Sequence, residues 1–132
     1  MKTFFVEDSS VILENLAATL EELTTIKVVG SAPDAASAIN WLMQPTNLYD
    51  LVIIDIFLKA GSGITVLESI VDLSIKAKRV VLTNYATPEM RARCSALGAH
   101  RVFDKSNQIE ELVEYCLELQ REKDLSAEQI FH

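Results

Sequence analysis

The sequence predicts one α/β domain, a doubly wound five-stranded parallel sheet with five helices, and three observations carry that prediction. Short apolar runs recur at residues 3–6, 26–29, 51–54, 79–82 and 101–103, each followed by a stretch with helical spacing. Runs such as Leu51-Val52-Ile53-Ile54 and Val80-Val81-Leu82 are apolar on both faces, as strands covered from both sides must be; strand–helix alternation makes such a sheet parallel. Five units of roughly 25 residues with short connections account for the chain, leaving residues 1–122 as the domain and 123–132 as a polar tail or the start of a linker.

Each element has local support. Ser9 or Ser10 can cap the first helix. There Ile12, Leu13, Leu16, Ala17, Leu20 and Leu23 form a core stripe, and Val11, Asn15, Ala18 and Glu22 line the opposite side. The second helix carries Trp41 and Leu42, expected to pack on the core or its rim. Thr87, Pro88 and Glu89 are an N-cap, a first-position proline and a first-turn acid, and Gly98 stands where a left-handed C-terminal cap belongs. Asn107 with Glu110 resembles a capping box opening a last helix that runs to about Gln120. Its apolar residues from Ile109 to Leu119 sweep about 200°, wider than the ~100° stripe that packing on a sheet demands. Either Tyr115 and Leu117 lap over neighbouring helices, or part of this face docks a partner. Cys94 and Cys116 fall within apolar helical patterns and read as reduced core thiols.

Twelve basic residues against nineteen acidic ones give a net charge of −7. A domain that neutralises a phosphate backbone needs the opposite sign, which argues against direct nucleic-acid or acidic-membrane binding. No apolar run approaches the ~18 to 20 residues of a membrane span, and Met1-Lys2 leads straight into the first strand and acidic Glu7-Asp8, so the expectation is a cytoplasmic protein.

In a doubly wound sheet with right-handed crossovers the carboxyl ends of all strands share one edge, where such folds place ligands. Here those ends carry Glu7-Asp8, Asp55, Thr83 and Asp104-Lys105. Carboxylates gathered from adjacent strands repel, and a hard divalent ion such as Mg²⁺ resolves the conflict while leaving room for a phosphate oxygen. A carboxylate in such a place can attack phosphorus to form an aspartyl phosphate, with Lys105 supplying an ammonium and Thr83 a hydroxyl.

At these residues the chain resembles a bacterial two-component response-regulator receiver domain of the chemotaxis-regulator kind. The segments are Phe5-Val6-Glu7-Asp8-Ser9, Ile53-Ile54-Asp55-Ile56-Phe57-Leu58 with Gly61-Ser62-Gly63, Val81-Leu82-Thr83-Asn84, and Gly98-Ala99 followed by Phe103-Asp104-Lys105-Ser106. The resemblance implies a flavodoxin-like receiver fold with strand order 2-1-3-4-5. It implies that Asp55 is the phosphoacceptor, that Glu7 and Asp8 are the acidic pair with Asp8 touching Mg²⁺, and that the backbone carbonyl of Phe57 completes the protein ligands. Thr83 becomes the switch hydroxyl and Lys105 the phosphoryl contact. The phosphodonor is a histidine kinase or histidine phosphotransfer protein docking on the first helix, whose small stripe at Val11, Asn15 and Ala18 suits that use. Output passes to a downstream protein through the 87–98 and 107–120 helices, and self-association linked to phosphorylation stays open. With little chain before the first strand or after the last helix, the expectation is a stand-alone receiver.

Several residues depart from the family pattern. The aromatic residue usually found three positions before the lysine is Val102 here, and the adjacent Phe103 points to the other face of a strand, toward the core. Thr83 is therefore expected to signal through the loop and helix around Ala86 to Met90. Phe57 and Tyr85, each two residues beyond a site residue, either guard the path of attacking water and prolong the phosphoryl state or pack on the surface. Two alternatives remain: a receiver-like scaffold that never takes phosphate, and a small Mg²⁺-dependent phosphohydrolase. The hydrolase lacks the usual acid/base aspartate two residues after the nucleophile, a position held by Phe57.

Overall fold

A computed structural model describes residues 1–73 and 76–130. Its elements are β1 (Lys2–Val6), α1 (Ser10–Leu23), β2 (Lys27–Ala32), α2 (Ala35–Leu42), β3 (Leu51–Ile54), α3 (Gly63–Ile70), β4 (Lys78–Thr83), α4 (Pro88–Ala96), β5 (Arg101–Asp104) and α5 (Ile109–Ile130). The strands form one sheet in the order β2-β1-β3-β4-β5, and every pairing is parallel. The expected architecture is therefore present in full.

The two-residue period of the strands sorts their side chains into two cores. Phe4, Val6, Val52, Ile54 and Val81 face α2, α3 and α4, meeting Ala38, Leu42, Leu67, Ile70 and Cys94. Phe5, Ile53, Val80, Leu82 and Phe103 face α1 and α5, meeting Leu16, Leu20, Leu112, Cys116 and Leu119. Phe103 is buried on the α5 side, as expected, while Val102 packs toward α4. Trp41 stacks on Phe4 with ring centroids 4.1 Å apart. Burial pushes the Cys116 thiol up to about 12 and raises that of Cys94 as well, so both behave as core residues rather than nucleophiles.

The helix caps follow the residues that announced them. Ser9 accepts the Ile12 N–H at 3.3 Å, Thr87 accepts the Met90 N–H at 3.1 Å with Pro88 opening α4, and Gly98 takes the left-handed conformation at φ +94°.

Three expectations need correction. Ile12 and Leu23 lie in the expected core stripe of α1 but are exposed, and Leu16 and Leu20 are its buried members. Ile12 and Leu23 lie in the end turns of the helix, and its buried residues come from the turns between them. The start of α5 is Ile109, and Gln108 rather than Asn107 is the side chain bonded at this end: its Oε1 accepts the Asp104 N–H at 2.8 Å. Nor does α5 stop near Gln120. Residues after it are polar yet good helix formers, and they are tied down by the Thr25–Gln120 and Gln120–Asp124 hydrogen bonds and a 3.3 Å Lys123–Asp50 ion pair. Of the expected 123–132 tail, residues up to 130 are helical and 131–132 lie outside the described residues. Tyr115 and Leu117 are half-buried, and Tyr115 lies against Phe103 at 5.9 Å. Among the described residues no helix is long and apolar enough to cross a membrane.

Candidate functional site

Parallel pairing continues one residue past the strands, and this brings the site together. The Glu7 N–H donates to the Ala32 carbonyl at 3.0 Å, the Asp55 N–H to Val6 at 2.9 Å, and the Lys105 N–H to Thr83 at 2.9 Å. Glu7, Asp55 and Lys105 are thus each held by the last rung of a ladder. Glu7, Asp8 and Asp55 each offer a carboxylate oxygen within 4.8 Å of the others. Glu7 and Asp55 are buried, at 6% and 8% exposed.

Lys105 reaches across from β5 into this cluster, bonding Asp55 Oδ2 at 3.0 Å and the Glu7 carboxylate. Backbone donors hold three further oxygens. Glu7 Oε2 accepts the Ser9 N–H at 3.1 Å, Asp8 Oδ2 accepts the Lys59 N–H at 2.8 Å, and Asp55 Oδ1 accepts the Phe57 N–H at 3.3 Å. Burial raises the Glu7 carboxyl above its ordinary range, against the pull of Lys105 and the Ser9 N–H. Burial alone would lower the Lys105 ammonium, but its bonds to Glu7 and Asp55 outweigh that and hold it above its usual value. One ammonium against three carboxylates leaves the cluster anionic. Such an all-oxygen, partly buried donor set fits a small hard divalent cation.

Thr83 ends β4, adjacent to the strand carrying Asp55, and is fully buried; its Oγ1 accepts the Tyr85 N–H at 3.2 Å. Phe57 and Tyr85 stand at the rim, about half exposed, in edge-to-face contact with centroids 4.8 Å apart. The sequence named every acidic member, the lysine and the threonine. It missed the backbone donors from Ser9 and Lys59, which have no side-chain signature, and the hydrogen bonds that Arg91 makes across the neighbouring loops.

Residues 3–117 match the family model of the response regulator receiver domain. The chain belongs to that family. Relatives include the uncharacterized transcriptional regulatory protein YvfU of Bacillus subtilis, 26% identical over 114 residues that span 86% of this chain and 56% of that protein. The response regulator UvrY of Escherichia coli is 25% identical, over 86% of this chain and 51% of UvrY. The chain thus spans about half the length of these two relatives. Among solved structures, the receiver domain of the Francisella response regulator 1452 superposes with a TM-score of 0.79 at 22% identity, covering 92% of this chain and 98% of that one. The response regulatory domain of mrkE from Klebsiella pneumoniae gives 0.80 at 22%, covering 95% and 99%. The receiver is a signalling domain of two-component systems, and membership sides with it over the scaffold and phosphohydrolase alternatives.

Proposed function

We propose that Asp55 is the phosphoacceptor of this receiver, with Lys105 contacting the phosphoryl group and Thr83 as the switch hydroxyl. The observation that carries this is the placement of one nearly buried aspartate between two further carboxylates and a 3.0 Å lysine at the carboxyl edge of the sheet. An Asp55 carboxylate oxygen attacks the phosphorus of a phosphohistidine, a P–O bond forms, the P–N bond breaks, and the imidazole leaves with the electron pair. Lys105 supplies positive charge to the transferring oxygens.

Glu7, Asp8 and Asp55, with the backbone carbonyl of Phe57, are the residues that would hold Mg²⁺. Bound there, the ion would neutralise phosphoryl oxygens and orient the donor. The donor, a histidine kinase or phosphotransfer protein, docks on the outward stripe of α1, where Val11, Asn15 and Ala18 are exposed. The phosphorylated domain signals to a downstream protein through α4 and α5 by altered affinity. The domain body is residues 1–122, and its reduced core cysteines and net charge of −7 fit a cytoplasmic protein that contacts neither nucleic acid nor membrane directly.

The test is intact-protein mass after incubation with Mg²⁺ and acetyl phosphate or a phosphohistidine protein, beside Asp55→Asn and a chelated control. One phosphoryl group on the wild type alone, dependent on Mg²⁺, is the expected result. An increment retained by Asp55→Asn, or none from either donor on folded protein, overturns the proposal.

A further inference from the structure

Helix α4 is weakly seated by its apolar residues: Cys94 is its one buried side chain, and Met90 and Leu97 pack partly at its edges. Arg91 supplies a different attachment. Its guanidinium donates to three acceptors from three separate segments: Nε to the Ala86 carbonyl at 3.0 Å, Nη1 to the Val102 carbonyl at 2.7 Å, and Nη2 to Gln108 Oε1 at 2.7 Å. The same Gln108 oxygen accepts the Asp104 N–H at 2.8 Å, and the Gln108 N–H donates back to the Asp104 carbonyl at 2.9 Å.

These acceptors sit beside the site. Ala86 lies in the loop that leaves Thr83, and Asp104 immediately precedes Lys105, whose own N–H bonds the Thr83 carbonyl. The planar fork of Arg91 therefore joins the end of β4 to the end of β5, next to the hydroxyl and the ammonium. No carboxylate pairs with it among the described residues, and three charge-assisted bonds to neutral oxygens hold it there. A lysine, a point charge on a flexible stem, cannot span three such acceptors at once.

The geometry points to Arg91, acting through Gln108, as a positioning residue for Lys105 and Thr83, so that the seating of α4 and the alignment of the phosphoryl-binding groups are one linked property. Its consequence for phosphorylation rests on Asp55 being the phosphoacceptor.

Amide hydrogen exchange and Asp55 phosphorylation by acetyl phosphate, measured on Arg91→Met, Arg91→Lys, Gln108→Met and Gln108→Glu, test this. Arg91→Met and Gln108→Met are expected to speed exchange of the Asp104 and Lys105 amides by tenfold or more. The Asp55 and Glu7 amides, bonded within β1, β2 and β3, keep wild-type rates. The same two variants slow phosphorylation about tenfold, since a misplacement of roughly 1 Å can cost ~10²-fold. Mg²⁺ binding by calorimetry persists in both variants, because the three carboxylates follow β1 and β3, which the Arg91 bonds do not touch.

Arg91→Lys groups with Arg91→Met, whereas Gln108→Glu, which keeps the acceptor, groups with the wild type. A residue that merely favours the α4 helix would be replaced equally well by lysine or methionine, so wild-type behaviour of Arg91→Lys overturns the proposal. Wild-type exchange at Asp104 and Lys105 in Arg91→Met also overturns it, and Gln108→Met decides the point if Arg91→Met does not fold. If the wild type takes no phosphate, the phosphoacceptor reading falls, while the exchange data still decide the positioning role.

Discussion

Gly63 opens α3 where the helix passes directly over the peptide of Asp55. A Cβ built on it would stand 2.2 Å from the Asp55 carbonyl oxygen and 2.8 Å from Ile56 Cα, against about 3.4 Å for ordinary contact. These are backbone atoms, so no side chain can swing aside: in Gly63→Ala the first turn of α3 and the end of β3 must part by roughly 1 Å. Overpacking of this kind costs about 1–3 kcal/mol, and backbone partners place it at the upper end. The gain from replacing a helix-interior glycine, about 0.5–1 kcal/mol, is an upper bound on what is returned at this first position of α3. A net loss of about 2 kcal/mol, at about 3–5 °C per kcal/mol for a chain of this size, lowers the melting temperature by about 6–10 °C. Since the displaced carbonyl belongs to Asp55 itself, phosphorylation by acetyl phosphate at a temperature where the variant is folded falls at least about tenfold. Gly30→Ala is the control: there the nearest atoms, at 3.1 Å, are side-chain atoms of the Phe4 ring rather than backbone, and none belongs to the site. Circular-dichroism melting and intact-mass phosphorylation read both effects. A Gly63→Ala protein that melts with the wild type refutes the packing argument, and one that melts low but phosphorylates normally refutes its link to Asp55.

Three further outcomes are expected. Mg²⁺ at a hundred times its Kd stabilises the fold by about 2.7 kcal/mol, raising the melting temperature by about 10 °C. Asp8→Asn abolishes most of that shift and, by relieving repulsion, melts above the wild type in chelator; a thermal scan insensitive to Mg²⁺ sinks the metal assignment. Replacing the exposed ring pair, Phe57→Asn with Tyr85→Glu, opens the rim to water and shortens the aspartyl-phosphate half-life about tenfold; an unchanged half-life returns the rings to surface packing. His100 Nδ1 accepts the Arg79 N–H at 3.0 Å, which requires the unprotonated ring. Burial, then the charges of Lys78 and Arg79, lower its pKa below the ordinary 6.5. A depressed pKa means that the fold favours the neutral form, so this contribution is complete above pH 6.5 and is lost as pH falls through the folded-state value. Urea unfolding of wild type against His100→Ala should converge at low pH; a difference independent of pH contradicts the bond.

Much of this protein is written in patterns that repeat along the chain. Unbroken apolar runs such as Leu51 to Ile54 require a sheet covered on both faces, and the two-residue alternation is enough to send Phe103 toward α5 and Val102 toward α4. Ser9, Thr87 and Gly98 mark helix ends because their chemistry acts within three residues. The acids, threonine and lysine of the site were legible for the same reason: each follows a recognisable strand, and parallel topology sends all strand ends to one edge.

What only the tertiary structure decided depends on angles and distances between elements far apart in the chain. Whether Ile12 and Leu23 reach the core turns on how α1 is laid on the sheet. The polar residues after Gln120 hold a helix partly because Thr25 and Asp50 happen to lie beside it. The amides on Glu7 and Asp8, the 2.2 Å approach of Gly63 to Asp55 and the three acceptors of Arg91 leave no mark in the sequence. Any peptide can donate an N–H and any carbonyl can accept one, so the identity of the residues does not say which pairs will meet; the packing of the sheet against its helices selects them.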